Sequence, residues 1–92
     1  TPLEMPAAWL KWIKEQPCCL CGVYGVDPHH LARIDGRRRQ DDSFIIPLCR
    51  VCHDWIKETN DDLYNMEKYY RICCILQKLF LEKLDYELPF FL

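Results

Sequence analysis

The sequence predicts a small α+β protein in which zinc stabilises a short β-containing core between an N-terminal and a C-terminal helix. A chain of 92 residues is too short for two folding units, so we expect a single domain over residues 1–92. Half of the residues are hydrophobic and 28% are charged, a balance typical of a globular chain. Apolar residues recur at helical spacing towards both ends, and two C-x-x-C pairs lie between them.

The first predicted element is a short helix over residues 6–16. Pro6 suits the first position of a helix, and Pro17 ends the pattern. The apolar residues between them follow helical spacing: Trp9, Leu10, Trp12 and Ile13. We expect the tryptophans of this helix, and Trp55 further along the chain, to pack in the core.

Residues 17–58 are predicted to form the functional core, because both C-x-x-C pairs and all three histidines fall within them. The β-favouring pieces of this segment lie at residues 22–26, 29–32 and 44–46. The chain from Arg50 onwards lacks helix breakers, which predicts a second helix ending near Thr59 and Asn60.

The last predicted element is a long helix over residues 61–86. One row of apolar residues at three- and four-residue spacing predicts the face that packs on the core: Leu63, Met66, Tyr70, Cys73, Leu76, Phe80 and Leu84. A second row widens the apolar surface: Tyr69, Ile72, Ile75, Leu79 and Leu81. A small core cannot cover both rows, so either the N-terminal helix or a second copy in a homodimer is expected to cover the excess.

The cysteines favour a metal site over disulfides. Their number is odd, no signal-peptide pattern is recognisable, and four of the seven form the pairs Cys18/Cys21 and Cys49/Cys52. Two such pairs can supply the four thiolates of a tetrahedral zinc site, here in the order of a treble clef. Cys19 could substitute for a neighbour, whereas Cys73 and the adjacent Cys74 are expected in the core. Reduced cysteines in turn predict a cytoplasmic protein.

The charges are unevenly distributed. The net charge of −2 argues against non-specific binding to nucleic acid, yet a local basic cluster stands out: Arg33, Arg37, Arg38 and Arg39. Guanidinium groups bind phosphates through paired donors, so this segment is a candidate DNA contact as well as a candidate solvated turn. The apolar C-terminal helix carries charges at intervals, which leaves no run near the roughly 20 apolar residues that cross a bilayer, and we expect no membrane association.

The three histidines are concentrated beside the cysteine pairs. His29 and His30 are adjacent in a predicted strand, where successive side chains point to opposite faces. His53 directly follows Cys52 in the first turn of the second helix. One histidine of the adjacent pair can therefore face His53 and bind a metal ion while the other has a different role.

At this point the sequence resembles the HNH endonuclease family, most closely its small prophage-borne members. The resemblance covers residues 9–57 and rests on three strings that fit the family pattern C-x-x-C-G, D-P-H-H, D, P-L-C-x-x-C-H: Pro17-Cys-Cys-Leu-Cys-Gly, Asp27-Pro-His-His-Leu and Asp42-Ser-Phe-Ile-Ile-Pro-Leu-Cys-Arg-Val-Cys-His53. It implies a ββα-metal fold, a structural zinc at the four cysteines and metal-dependent cleavage of DNA with low sequence preference.

The resemblance also implies roles for individual residues. His29 and His53 correspond to ligands of a divalent catalytic metal, for which two imidazoles make Zn, Ni or Mn as plausible as Mg. His30 corresponds to the general base that takes a proton from water, and Asp42 to the central residue of the motif that supports the site. Lys57 joins the arginines as a candidate DNA contact.

Two departures from the family pattern leave an alternative open. Many of these proteins carry a second histidine four residues after the C-H pair, where this chain has Lys57. The loop after the histidine pair also keeps a single glycine, Gly36, where several are usual. The alternative is a degenerate, inactive HNH zinc domain that binds nucleic acid or a protein partner.

Overall fold

The computed structural model describes residues 5–33 and 39–87 of the chain. Within them, a two-stranded antiparallel sheet is surrounded by four helices, which confirms the small α+β class. The elements follow the order α1 (Ala8–Lys14), β1 (Val26–His30), β2 (Ile45–Cys49), α2 (Arg50–Thr59), α3 (Asp61–Tyr64) and α4 (Met66–Glu87).

The sheet forms later in the sequence than predicted. Gly22 and Gly25 both have positive φ, at 82° and 90°, so this part of the chain turns instead of extending. The first strand begins at Val26, which pairs with Cys49, and the register runs to His30 opposite Ile45. All five residues of β2 are buried, as expected for a strand covered on both faces.

The range predicted as one C-terminal helix contains two. Asn60 adopts the left-handed conformation, with φ 54° and ψ 33°, and ends α2. The short helix α3 follows and stops at Asn65, whose φ of −124° and ψ of 46° are not helical. The chain therefore bends twice before α4 begins. After the first bend α3 packs against α2 and α4, and its buried Asp62 forms a hydrogen bond with His29 of β1.

The core lies between the sheet and the helices. Its fully buried side chains come from nearly every element and include Trp9, Ile13, Ile46, Ile56 and Tyr69. The rings of Trp9 and Phe80 meet edge to face with centroids 5.6 Å apart, which joins α1 to α4.

The expectation that Trp55 is a core residue is wrong. Its side chain is 46% exposed, while the neighbouring Ile56 is completely buried. Successive residues of a helix point about 100° apart, so the turn that directs Ile56 at the sheet directs Trp55 towards solvent.

The exposed apolar residues of α4 are relevant to the predicted homodimer. Ile75 and Leu79, one helical turn apart, are 54% and 50% exposed, so α1 does not cover all of the second apolar row. Self-association through α4 stays a prediction. No helix among residues 5–33 and 39–87 combines the length and hydropathy needed to span a membrane.

Replacing Ile56 by alanine is expected to destabilise the fold by about 2–5 kcal/mol, because it removes a buried side chain that holds α2 on the sheet. Urea unfolding of the metal-loaded protein measures the change. Val51→Ala on the same helix is the matched control: Val51 is 77% exposed, so its loss should change stability by less than about 0.5 kcal/mol. Equal effects of the two substitutions would contradict the packing described for α2.

Candidate functional site

Four cysteines from two distant parts of the chain meet at one end of the sheet. The sulfur atoms of Cys18, Cys21, Cys49 and Cys52 all lie within 4.8 Å of one another. Thiolates at such separations suit the tetrahedral geometry of zinc, whose bonds to sulfur are about 2.3 Å long. The cluster can therefore hold a metal ion such as zinc, as the C-x-x-C spacing predicts.

The first pair is held in a tight turn before the sheet. The amide of Gly22 donates to the carbonyl of Cys18 at 2.8 Å, and the amide of Cys18 donates to the carbonyl of Val23 at 2.7 Å. The positive φ of Gly22 allows this closure at low cost. The amide of Cys19 reaches the carbonyl of Pro47 at 3.0 Å, which attaches the turn to β2.

The second pair lies where β2 becomes α2. Cys49 is the last residue of β2 and the N-cap of α2, and its sulfur accepts a hydrogen bond from the amide of Cys52 at 3.5 Å. The positive end of the helix dipole favours negative charge at this place. One residue thus ends the strand, caps the helix and joins the cluster.

The cysteines differ in acidity. Burial raises the pKa of the Cys18 thiol, but surrounding hydrogen-bond donors, Cys49 first among them, outweigh it and lower that pKa to about 6. Burial raises the pKa of Cys52 well above its usual range. The Cys18 thiol is therefore more acidic than that of Cys52. Thiols that are protonated without metal would release their protons when a metal ion binds.

The other three cysteines stand apart from this cluster. Burial raises the pKa of Cys19 to about 12, so this thiol is a poor ligand where it lies. Cys73 is completely buried, as predicted, whereas Cys74 is exposed. The prediction of a core position for Cys74 is wrong because the adjacent helical residue turns away from the core.

A cavity of about 270 Å³ lies beside β1 and the first turns of α2. All three histidines of the chain reach it, together with two cationic side chains and a proline: Pro28, His29, His30, Arg39, His53 and Lys57. The structure therefore brings together the three histidines that were predicted to bind the catalytic metal or to act as the base. Asp42 reaches the cavity through its contact with His30.

His30 and Asp42 form a close pair on the exposed side of the cavity. Nε2 of His30 lies 2.7 Å from Oδ1 of Asp42, and their side chains are 38% and 67% exposed. A carboxylate only accepts hydrogen bonds, so in the neutral form of the ring the proton lies on Nε2 and Nδ1 has the lone pair. A ring held in this tautomer can take a proton at Nδ1.

Two flanking helices fix the loop that carries Asp42. The indole of Trp9 in α1 donates to the carbonyl of Asp42 at 2.8 Å. The side-chain amide of Gln77 in α4 donates to the carbonyl of Ser43 at 2.6 Å. The loop is therefore anchored through its backbone from two sides, which leaves the Asp42 carboxylate free to meet His30.

His29 occupies the buried side of the cavity and has a different partner. Nε2 of His29 lies 2.9 Å from Oδ2 of Asp62 in α3, and the two side chains are 5% and 1% exposed. The same Asp62 oxygen accepts a hydrogen bond from Nη1 of Arg39. Burial lowers the pKa of His29 more than Asp62 raises it, so the ring is neutral at neutral pH.

Asp62 was not singled out by the sequence. Burial alone would raise the pKa of its carboxyl, but the bonds from His29 and Arg39 hold that pKa below its usual range, and the group is ionised. Acidic residues are common in the first turn of a helix, so nothing in the local sequence distinguishes Asp62 from Asp61. Only the bend at Asn60 places it behind His29.

His29 and His53 face each other across the cavity. Their rings meet edge to face with centroids 5.0 Å apart. Within the described residues, the four cysteines are the one group of three or more potential ligands close enough to share an ion. Lys57 lies in the cavity wall, so the position four residues after His53 supplies a positive charge instead of a ligand.

The predicted DNA contacts are only partly described. Arg39 is about half exposed in the cavity wall, and Arg33, whose Nε donates to the carbonyl of Arg39 at 3.3 Å, is exposed. Arg37 and Arg38 lie outside the described residues. Arg39 and Lys57 add positive charge next to the three histidines.

The ligand set of the cysteine cluster predicts which cysteine substitutions remove bound zinc. Cys49→Ser should remove bound zinc and unfold much of the domain, since it breaks both the cluster and the joint between β2 and α2. Elemental analysis of purified protein, together with circular dichroism, measures both effects. Cys19→Ser and Cys74→Ser should keep their zinc, and loss of the metal from either would contradict the ligand set.

Comparison with known proteins places the chain in a family without assigning an activity. Residues 4–86 match the family described as "Protein of unknown function (DUF968)". The chain is also 35% identical over 65 residues to "Uncharacterized protein YdfU" of Escherichia coli (strain K12); the match covers 67% of this chain and 18% of that protein. No solved structure matches. Since the family match spans nearly all of the described fold, the chain belongs to the DUF968 family.

Proposed function

We propose that this protein is a metal-dependent DNA endonuclease of the HNH type, with low sequence preference and a structural zinc at the cysteine cluster. One observation carries the proposal. Adjacent residues of one strand, His29 and His30, lie in the same cavity but are held by different carboxylates, and His29 faces His53 at the head of α2. Such a division suits one histidine that binds metal and one that moves a proton.

The chemistry of the donors fits a divalent ion held by His29 and His53. Metals bind the neutral imidazole, and burial keeps His29 neutral. The two rings are close, and water and phosphate oxygens would complete the coordination, as is usual in open catalytic sites. When bound, the ion would stabilise negative charge on the phosphate and on the leaving 3′ oxygen.

His30 is the proposed general base. With its proton on Nε2 directed at Asp42, Nδ1 can accept a proton from water as the water oxygen forms a bond to phosphorus and the bond to the 3′ oxygen breaks. Asp42 keeps the ring in this tautomer and stabilises the charge it gains. The anchoring of the Asp42 loop by Trp9 and Gln77 supports a fixed geometry for this step.

The positive groups of the cavity support a phosphate-containing substrate. Arg39 and Lys57 line it beside the histidines, and Arg33 lies close by. Contacts of this kind bind the backbone of DNA irrespective of sequence. No base-reading element was recognised in the sequence, which agrees with low sequence preference.

One specific observation favours a second candidate, a DNA-binding zinc domain that has lost catalysis. In the described part of the chain, no third ligand joins His29 and His53, and Lys57 stands where many HNH proteins carry another histidine. Such a protein would bind DNA through the same cations without cutting it.

Nicking of supercoiled plasmid tests the proposal. Wild-type protein, stripped of divalent ions at the cavity and resupplied in turn with Mg, Mn, Ni or Zn, is expected to nick the plasmid with at least one of them. His30→Ala should lower the rate by about 10²- to 10⁴-fold, the usual contribution of a general base, while zinc content and DNA affinity stay unchanged.

Asp27→Asn is the matched control, since Asp27 lies on the same strand but is exposed and outside the cavity wall. It should nick as fast as wild type. A zinc-loaded wild type that binds DNA and stays silent with every ion would overturn the nuclease proposal in favour of the binding domain. Nicking that survives in His30→Ala would exclude His30 as the base.

A further inference from the structure

A buried carboxylate outside the segments that resemble the HNH motif forms a hydrogen bond with one of the cavity histidines. Asp62 belongs to α3, which follows all the motif strings. Its side chain is 1% exposed, and its Oδ2 accepts hydrogen bonds from His29 and Arg39. Its other oxygen, Oδ1, is buried with no hydrogen-bond partner among residues 5–33 and 39–87.

Burying a carboxylate in this way is costly for a small domain. Removal of a charge from water is only partly offset by its partners, and an apolar residue at the same place would often stabilise a fold equally well. The Oδ1 atom adds to this cost because it gains no hydrogen bond from the described residues. A role in the cavity accounts for the arrangement better than stability does.

The geometry defines what Asp62 does to His29. Because the carboxylate accepts from Nε2, the neutral ring must carry its proton there, and the unprotonated nitrogen is Nδ1. The bond also limits rotation of a ring that lies 5.0 Å from that of His53. A histidine that binds metal commonly donates its other ring N–H to a carboxylate, which orients the ring and strengthens it as a ligand.

Asp62 also connects His29 to a phosphate contact. Arg39 shares Oδ2 of Asp62 with His29, lines the cavity and is about half exposed. The carboxylate therefore places a cationic side chain at the wall of the cavity in which it orients a histidine, and it balances part of the positive charge there.

We propose that Asp62 is a positioning residue that holds His29 as an Nδ1 ligand for a divalent ion and holds Arg39 beside it to receive the phosphate. This inference rests on the proposed function, because it concerns the same cavity. It adds a residue of α3 to a site otherwise built from β1, α2 and the loop between the strands.

Titration of the zinc-loaded protein with Mn²⁺, followed by NMR signals of the histidine rings, tests the inference. Mn²⁺ binds most weakly in the series of first-row divalent metals from manganese to zinc, and it will not displace zinc from thiolates. In wild type, the ring signals of His29 and His53 should broaden together. In Asp62→Ala the Mn²⁺ concentration at the midpoint should rise by about 10- to 100-fold, the usual effect of removing such a carboxylate.

Two further variants separate positioning from folding. Asp62→Asn keeps the shape and an oxygen acceptor for His29 but loses the charge, so its midpoint should lie between those of wild type and Asp62→Ala. Asp61→Asn removes the neighbouring carboxylate of the same helix, which contacts Tyr69 and Asn65 instead, and should titrate like wild type. The Nε2 proton of His29 should exchange slowly with water in wild type and fast in Asp62→Ala.

The outcomes separate this inference from the nuclease proposal. Equal midpoints in wild type and both Asp62 variants would overturn the role of Asp62, even if the plasmid is nicked. No broadening of His29 in wild type would overturn it as well. A weakened Mn²⁺ site in the Asp62 variants, without nicking by wild type, would support the positioning role and reject the nuclease.

Discussion

The meeting of four thiols at the junction of β2 and α2 is the constraint on which the remaining structure depends. A 92-residue chain has little apolar surface to bury, and its sheet has only two strands in the described part. The cluster joins the turn before β1 to the start of α2, which fixes the end of the sheet at which Val26 and Cys49 pair. Because Val26 of β1 pairs with Cys49 of β2 at this end of the sheet, His29 and His30 lie at the opposite end of β1.

The junction of β2 and α2 at Cys49 sets the direction of α2 and therefore the position of His53. The helix begins directly after its N-cap Cys49, and its first turn directs His53 towards His29. The cysteine cluster and the histidine cavity are thus connected through α2, which carries both Cys52 and His53. The flanking helices α1 and α4 are attached to the same site, because Trp9 and Gln77 donate hydrogen bonds to the backbone at Asp42 and Ser43.

Much of this could be predicted because the signals are local. C-x-x-C spacing is visible in four residues, and adjacent histidines in a strand must take opposite sides, so the pairs and the separate environments of His29 and His30 can be expected from the sequence alone. The helix that starts after Cys49 is likewise signalled by its lack of breakers.

The parts that could not be predicted depend on contacts between distant residues. The bend at Asn65 has no proline or glycine to mark it, so residues 61–86 look like one helix. In the sequence Asp62 resembles any acidic residue in a first helical turn. Its importance is visible only from its hydrogen bond with His29, 33 positions earlier in the chain. The exposure of Trp55 depends on which face of α2 the sheet covers, and composition does not encode this.

Asn60, which has the left-handed conformation, separates the residues of the cysteine cluster from the carboxylate that contacts His29. A chain ending at Thr59 would still contain all four clustered cysteines, both strands and every histidine, but it would lack the carboxylate behind His29. All residues of the cysteine cluster therefore precede Asn60, whereas the histidine cavity also depends on a residue that follows it. Transplanting the motif segments into another scaffold would transfer the thiols and the imidazoles but leave one imidazole without its anchor.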